Sequence, residues 1–457
     1  MSEPATRPRL FGTDGIRAPF GEAPLDRETV TAVAAALAGE LRRTAGGRRP
    51  LVVLGGDTRS STPAISRWVA AGLAAGGADC RFLGVVPTPA VAWLVRELGA
   101  DAGVAVSASH NPLPDNGVKI LDGEGHKLSP GAEHRLEAAI TGPAPAAEIG
   151  ELAPDAAAVE AYVAGLAERV RAQAGRELPL AGLAVAVDAA NGAASPFARR
   201  LFRELGAEVT ALGDHPTGDN INVACGSTHP EGLAAAVAAG GHHLGVAFDG
   251  DADRAVLVDE AGRVRDGDAI LFLWARHLHA AGALAPPVVV ATTMSNLGLE
   301  RALDRLGIGV VRCDVGDRVV VETLQSEGLQ LGGEQSGHIV HLGLSTTGDG
   351  LLTGLVMASL VAAAGRPLSE LLADFTRYPQ VLCNVRVREK PELEELPRVA
   401  AAARRVEREL GADGRLVLRY SGTEPLARVM IEGPDQGVIE NLAGALCAAI
   451  ESEIGAP

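Results

Sequence analysis

The stretch Leu244-Gly-Val-Ala-Phe248-Asp-Gly-Asp-Ala-Asp-Arg254-Ala-Val-Leu-Val258 places two apolar runs on either side of a short acidic turn. Each run is long enough for a strand and too short for a helix. Working outward, Pro230 to Ala239 reads as a helix and Glu208 to Leu212 as a strand. Before them come a strand, Leu183 to Val187, and a helix, Pro196 to Leu205. The same alternation recurs upstream: a strand at Leu51 to Leu54 ending in Gly55-Gly56-Asp57, a helix at Thr62 to Ala75 with Pro63 in its first turn, and a strand at Ala102 to Val106. It recurs downstream in the helix Ala269 to His279, the strand Val288 to Ala291, the helix Leu297 to Leu306 and the strand Gly309 to Val311. Such alternation implies mostly parallel sheets with helices on their faces. After Tyr378 the order changes to strand Val381–Val387, helix Leu393–Leu410, strands Leu416–Arg419 and Arg428–Glu432, and helix Gln436–Ile450. The class is therefore α/β: three similar mixed α/β domains plus a smaller C-terminal α+β domain.

Length agrees. At roughly 150 residues per domain, 457 residues suggest about three domains, and the altered C-terminal pattern raises the count to four. The expected divisions are 1–150, 151–258, 259–370 and 371–457, with Pro/Ala-rich Thr141–Ala147 and Arg366-Pro367 read as linkers. A net charge of −16 argues against a nucleic-acid coat or a polybasic membrane binder. An anionic substrate remains admissible, because clustered arginines overcome a diffuse negative surface. The cysteines Cys80, Cys225, Cys313, Cys383 and Cys447 are scattered and form no Cys-x-x-Cys pair, which fits reduced thiols in a cytoplasm. No secretory apolar segment follows Met1–Leu10, and the apolar stretch Leu351–Ala364 is too short to span a membrane and reads as a buried helix. Neither a Gly-x4-Gly-Lys-Ser/Thr loop nor a strand-to-helix Gly-x-Gly-x-x-Gly is present. Only Lys119, Lys127 and Lys390 are lysines, so a position that keeps Lys among so many arginines is a candidate for ammonium chemistry.

Four short segments carry chemistry. Asp249, Asp251 and Asp253 alternate in one tight loop, where their repulsion calls for a cation, and oxygen ligands suit Mg²⁺ or Ca²⁺. A solvated acidic turn is the bland alternative. An EF-hand is rejected, because Arg254 stands where that loop needs Gly and the flanks read as strands. Ser107-Ala-Ser109-His110-Asn111-Pro112 pairs a hydroxyl with an imidazole outside any Gly-x-Ser-x-Gly elbow; taken alone it is equally a polar turn. Lys119 follows as a candidate acid/base or phosphate ligand. Gly332-Gly-Glu334-Gln-Ser336-Gly-His338 offers hydroxyl-binding groups suited to a sugar, or is a plain Gly-rich hairpin. Arg419-Tyr-Ser421-Gly422-Thr423-Glu-Pro425 with Arg428 makes a phosphate nest or a surface turn.

In order, and with the opening Phe11-Gly-Thr-Asp-Gly-Ile-Arg17, these segments resemble the α-D-phosphohexomutase superfamily over nearly the whole chain. A likeness to its amino-sugar branch is carried by Asn222–Pro230, Asp314-Val-Gly-Asp-Arg318, Thr346-Thr-Gly-Asp-Gly350, Tyr378–Val387 and Arg428–Gly433. Ala18 and Ala252 depart from the usual Gly, with possible effects on loop shape and substrate preference. The resemblance implies four domains around a central cleft and a phosphate carried on Ser109, first placed there by a hexose 1,6-bisphosphate or a kinase. It implies one Mg²⁺ per subunit, held by Asp249, Asp251, Asp253 and the Ser109 phosphate, with Arg254 contacting that phosphate. Arg17, His110 and Lys119 belong beside the transferring group, Lys119 as general acid/base. Glu334, Ser336 and His338 would bind the sugar, and Arg419, Ser421, Gly422, Thr423 and Arg428 the phosphate that does not react. The implied reaction exchanges glucosamine 6-phosphate and glucosamine 1-phosphate through a 1,6-bisphosphate and would feed UDP-N-acetylglucosamine synthesis. The mannose or glucose phosphates are the alternative substrates. The implied partner is a phosphosugar, with no nucleic acid or membrane, on a cytoplasmic monomer or homodimer.

Overall fold

The computed structural model describes residues 9–12, 14–140, 142, 149–421 and 424–456. Strands β1 (Ile16–Pro19), β2 (Leu51–Gly56), β3 (Asp79–Val85), β4 (Ala102–Val106) and β5 (Asp115–Asp122) form a sheet in the order β1-β5-β4-β2-β3. Strands β6 (Ala184–Asp188), β7 (Glu208–Leu212), β8 (Leu244–Phe248), β9 (Ala255–Asp259) and β10 (Val264–Arg265) form the second, ordered β10-β9-β8-β6-β7. In the third, β11 (Val288–Thr292), β12 (Gly309–Cys313), β13 (Leu331–Gly333) and β14 (Ile339–His341) are ordered β12-β11-β13-β14. Each sheet is a parallel trio with an antiparallel strand added beside its last member: β5 on β4, β9 on β8, β14 on β13. The same topology is thus built three times, although no residue-level repeat is visible in the sequence. The last sheet, β15 (Gln380–Arg386), β16 (Arg415–Tyr420) and β17 (Leu426–Glu432), is antiparallel in the order β15-β17-β16.

This topology positions the site. The turn between the last parallel strand and its antiparallel neighbour is 107–114 in the first sheet, 249–254 in the second and 334–338 in the third. The β16–β17 turn, residues 421–425, is its counterpart in the fourth. Three of the chemistry-bearing segments are therefore turns at the carboxyl ends of parallel strands, where open α/β sheets place their ligands.

The first three units share one core. The helix Ala156–Ala174 packs on β3 and on the helix Thr88–Glu97 of the first unit and against the helix Gly350–Ala364 of the third. The latter helix, apolar all round as its composition requires, lies in turn on β8 and β9 of the second unit. Gly354 permits that approach, since a Cβ there would come within 2.7 Å of Val246 Cγ1. The C-terminal unit keeps a separate core around Val385, Val429, Ile431 and Leu446.

Three details depart from the sequence reading. The second sheet continues past 258 to Arg265, because β10 pairs with β9. The chain stays in the central core beyond Arg366-Pro367, with Leu368, Leu371 and Phe375 buried. The expected helix Leu393–Leu410 is a short 3₁₀ turn, Leu393–Glu395, followed by the helix Pro397–Leu410. Pro397 causes the break: a residue before proline is pushed out of the helical region, and Leu396 has ψ 110°.

Candidate active site

Ser109 sits in the first turn and packs against the second. Its backbone has φ 51°, a left-handed conformation that a non-glycine residue adopts at a cost, and its side chain is buried. The surroundings hold it there. The Ser109 carbonyl accepts from Arg59 Nη2 at 3.1 Å and from Asn222 Nδ2 at 2.9 Å, and its N–H donates to Ser107 Oγ at 2.9 Å. Ser107 Oγ donates to Asp57 at 2.6 Å. The fully buried Arg59 guanidinium also reaches the Asn111 carbonyl at 2.8 Å, the Pro112 carbonyl at 3.0 Å and Asp57 at 3.1 Å. One planar fork thus fixes the whole turn. Replacing Arg59 with Lys keeps the charge and loses the fork. We expect a loss of about 1–3 kcal/mol, the cost of leaving buried carbonyls without their donor, read as a lower midpoint in urea with no change in slope.

Ser109 Oγ donates to Asp249 Oδ2 at 2.5 Å and lies 3.2 Å from His110 Nδ1. Burial, followed by the nearby Arg254 and Arg17 guanidiniums, lowers the His110 imidazole to about 4, so it is neutral near pH 7. Arg17 donates to Asn111 Oδ1 at 2.8 Å and pairs with Asp14. Lys119 is buried, with Nζ 2.7 Å from Asp251, 3.1 Å from Asp14 and 3.4 Å from Asp253. Burial works against its charge, but those three carboxylates hold the ammonium well above its ordinary value.

The acidic turn is packed, not solvated. Asp249, Asp251 and Asp253 are all buried. Burial, reinforced by Asp253 and Asp251, pushes the Asp249 carboxyl well above the usual range. Burial opposes the charge of Asp251 too, but Lys119, helped by a 2.6 Å hydrogen bond from Thr88 Oγ1, holds it below. Asp251 Oδ1 and Asp253 Oδ1 are buried with no hydrogen-bond partner, and one oxygen from each of the three carboxylates lies within 4.8 Å of the others. Orphaned oxygens facing one another in a buried loop fit a hard divalent cation. Arg254 N donates to Asp249 Oδ1 at 3.2 Å, and its Nε is 3.8 Å from Asp253.

The third turn docks on the second. Gly337, at φ 96°, presents its carbonyl to Ala255 N at 3.0 Å, and a Cβ there would meet Ala255 O at 2.2 Å. Glu334 accepts from Gly316 N at 3.1 Å and, with Ser336 and Arg254, lines a cavity of about 500 Å³. His338 is not on that wall. It is buried, accepts at Nε2 from Gly348 N at 3.2 Å, and lies 3.9 Å from Asp317. Ala252, one of the noted departures, has φ 54° and is fully buried, which explains why glycine suits that position.

In the fourth turn, Arg428 Nη2 lies 3.4 Å from Ser421 Oγ and 2.9 Å from Glu424. Arg419 pairs across the sheet with Arg428. Gly422 and Thr423 lie outside the described residues. Among the described residues, no hydrogen bond or ion pair joins Arg419, Ser421 or Arg428 to the other three turns. The structure therefore brings Arg17, Ser109, His110, Lys119, the three aspartates, Arg254 and Glu334 together, while Arg419, Ser421 and Arg428 form a group of their own in the fourth unit. Sequence reasoning missed Asp57, Arg59, Thr88, Asn222 and Asp14. Lys127, which bridges Asp14 and Asp317, was flagged only by the rarity of lysine.

A four-unit α/β fold with three cleft turns, a buried serine and a carboxylate triad is a phosphoryl-transfer architecture, and the comparisons give it a family. The chain matches, in order, phosphoglucomutase/phosphomannomutase alpha/beta/alpha domain I over residues 8–145, domain II over 160–262, domain III over 266–378 and the C-terminal domain over 382–449. It belongs to the phosphoglucomutase/phosphomannomutase family. More particularly, it is 47% identical over 453 residues to a phosphoglucosamine mutase of Solibacter usitatus, covering 98% of this chain and 99% of that protein. It is 46% identical to one of Symbiobacterium thermophilum, covering 98% and 100%. The crystal structure of a phosphoglucomutase/phosphomannomutase family protein from Burkholderia thailandensis shares the fold, with a TM-score of 0.77 at 23% identity over 97% of each chain. No helix among the described residues is long and apolar enough to cross a membrane.

Proposed function

We propose that the protein interconverts glucosamine 6-phosphate and glucosamine 1-phosphate, the activity its relatives of nearly half-identical sequence are named for. The observation that carries the proposal is Ser109 Oγ, fixed in a strained turn 2.5 Å from the first carboxylate of the triad. A serine so placed, beside a neutral imidazole and under two arginines, is built to exchange a phosphoryl group and not to attack a carbonyl.

In the first half-reaction the phosphoryl group leaves Ser109 Oγ for O1 of glucosamine 6-phosphate. The O1 proton is given up as the new P–O bond forms, and Ser109 Oγ regains a proton as the old one breaks. The 1,6-bisphosphate then turns end for end in the cleft. Transfer of its 6-phosphoryl group to Ser109 Oγ leaves glucosamine 1-phosphate. His110 lies beside Ser109 Oγ and Lys119 beside Asp251 of the triad, and these are the groups that hold or move those protons; Arg17 and Arg254 face the charge on the transferring group. Asp249, Asp251 and Asp253 would hold a Mg²⁺ ion, which when bound supplies charge neutralisation at the phosphoryl oxygens. Glu334 and Ser336 orient the sugar hydroxyls. Arg419, Ser421 and Arg428 form the outer anchor for the unreacting phosphate, and the C-terminal unit closes over the bound sugar.

The test is initial rates of bisphosphate-primed enzyme with Mg²⁺ on glucosamine, mannose and glucose 6-phosphates. A higher kcat/KM for glucosamine 6-phosphate supports the reading. Preference for a neutral sugar moves the activity to phosphomannomutase or phosphoglucomutase on the same machinery.

A further inference from the structure

The cavity lined by Glu334, Ser336 and Arg254 has one more carboxylate on its wall, Asp266. This residue is fixed directly against the sugar-facing turn. The next N–H, that of Gly267, donates to the Gln335 carbonyl at 2.9 Å, and a Cβ on Gly267 would lie 2.0 Å from the Glu334 carbonyl. Asp266 also caps the helix Gly267–Ala280, accepting from Ala269 N at 3.4 Å.

Its nearest countercharge stands half in solvent. The sole ion pair is to Arg377 Nη1 at 3.0 Å, and the Arg377 side chain is 54% exposed at the mouth of the same cavity. The oxygen that meets Arg377 is Oδ2, which is buried and has that charge contact but no hydrogen bond, while Oδ1 takes the Ala269 N–H. Behind it lies buried Asp268, whose Oδ2 accepts from Asn296 N at 2.7 Å and Gln335 Nε2 at 3.3 Å, while its Oδ1 has no hydrogen-bond partner. Burial, followed by the proximity of Asp266, pushes the Asp268 carboxyl up to about 7. The nearest countercharge to these two neighbouring carboxylates is thus a half-exposed guanidinium, with Arg265 adding a weaker field at Asp266. Glu334, the other carboxylate on the wall among the described residues, is already met by Gly316 N and by the field of Arg254.

A carboxylate on the wall of a cleft that admits a phosphorylated sugar repels that ligand whenever Arg377 leaves it, unless the ligand carries a positive charge itself. The 2-ammonium group of glucosamine is such a charge; the 2-hydroxyl of glucose or mannose is not. We propose that Asp266 is the specificity-determining residue of this cleft, accepting the ammonium group of an amino-sugar phosphate while Arg377 swings out to solvent. The proposal rests on the glucosamine-phosphate reading above. The competing role for Asp266 is to orient Arg377 toward a substrate phosphate, which would favour all phosphosugars alike.

Asp266→Asn separates the two, because asparagine caps a helix as well as aspartate and only the charge is lost. Primed wild-type and variant enzymes are assayed on glucosamine 6-phosphate and glucose 6-phosphate. The expected result is a fall of about tenfold or more in kcat/KM for glucosamine 6-phosphate, the scale of one charge-assisted hydrogen bond, with the glucose 6-phosphate value held or raised. Unequal loss of this kind cannot come from partial unfolding, which lowers both values together. Equal loss on both sugars, or no loss on either, overturns the role of Asp266 and leaves the mutase reading standing. A wild-type enzyme with no preference for glucosamine 6-phosphate overturns the glucosamine-phosphate reading, and the role of Asp266 with it.

Discussion

Ser109→Ala is expected to lower turnover by on the order of 10⁴-fold or more, the scale seen when a group that carries the covalent intermediate is removed. No other described hydroxyl has the position of Ser109 Oγ, 2.5 Å from Asp249 and 3.2 Å from His110. The turn itself should survive, because Arg59 and Asn222 hold it through the residue 109 carbonyl and not through the side chain. The thermal midpoint of the variant should therefore stay close to that of the wild type while activity disappears. Full turnover in a folded Ser109→Ala enzyme would sink the assignment of the phosphoryl carrier.

Asp251→Asn should be the next most severe change, costing roughly 10³-fold in kcat, several kcal/mol of charge stabilisation at the phosphoryl oxygens. Asp251 has two duties that an amide cannot combine. Its Oδ2 receives Lys119 at 2.7 Å and Thr88 at 2.6 Å, and its Oδ1 is left free for a cation. With asparagine there, Lys119 keeps only Asp14 and Asp253 as charged partners, and the cation site loses one of three formal charges. The variant should bind Mg²⁺ more weakly by calorimetry and need far more of it for half-maximal activity. An unchanged Mg²⁺ titration would remove Asp251 from the ligand set.

The fold and the site were not equally open to reading from the chain. Short apolar runs such as Leu244–Phe248 and Val288–Thr292 announced their strands, because a buried parallel strand is apolar on both faces. The threefold repeat of topology showed only as a recurring strand–helix rhythm, because each sheet meets the same pairing rules with different side chains. The site turns were recognisable because hairpin turns gather their chemistry into consecutive residues. Arg59 and Asn222 were hidden for the opposite reason. Each acts alone across 50 and 113 residues of sequence, and nothing local marks a guanidinium that will be buried. Asp57-Thr58-Arg59, directly after a strand, was the one available hint. The scarcity of lysine was more telling than expected: Lys119 and Lys127 join the ion-pair web of the cleft, and Lys390 donates to the Ser421 carbonyl at 2.6 Å in the fourth turn. The expected helix Leu393–Leu410 starts too early, because Pro397 suits the first turn of a helix and forces the residue before it out of one.

The most direct test is to incubate the wild-type enzyme with glucose 1,6-bisphosphate labelled on phosphate, digest it, and map the label by mass spectrometry. The account predicts one labelled site, Ser109, whose phosphate is chased into a bisphosphate and then into sugar monophosphate when unlabelled glucosamine 6-phosphate is added. Label on any other residue, or an active enzyme that never acquires label at Ser109, would contradict it.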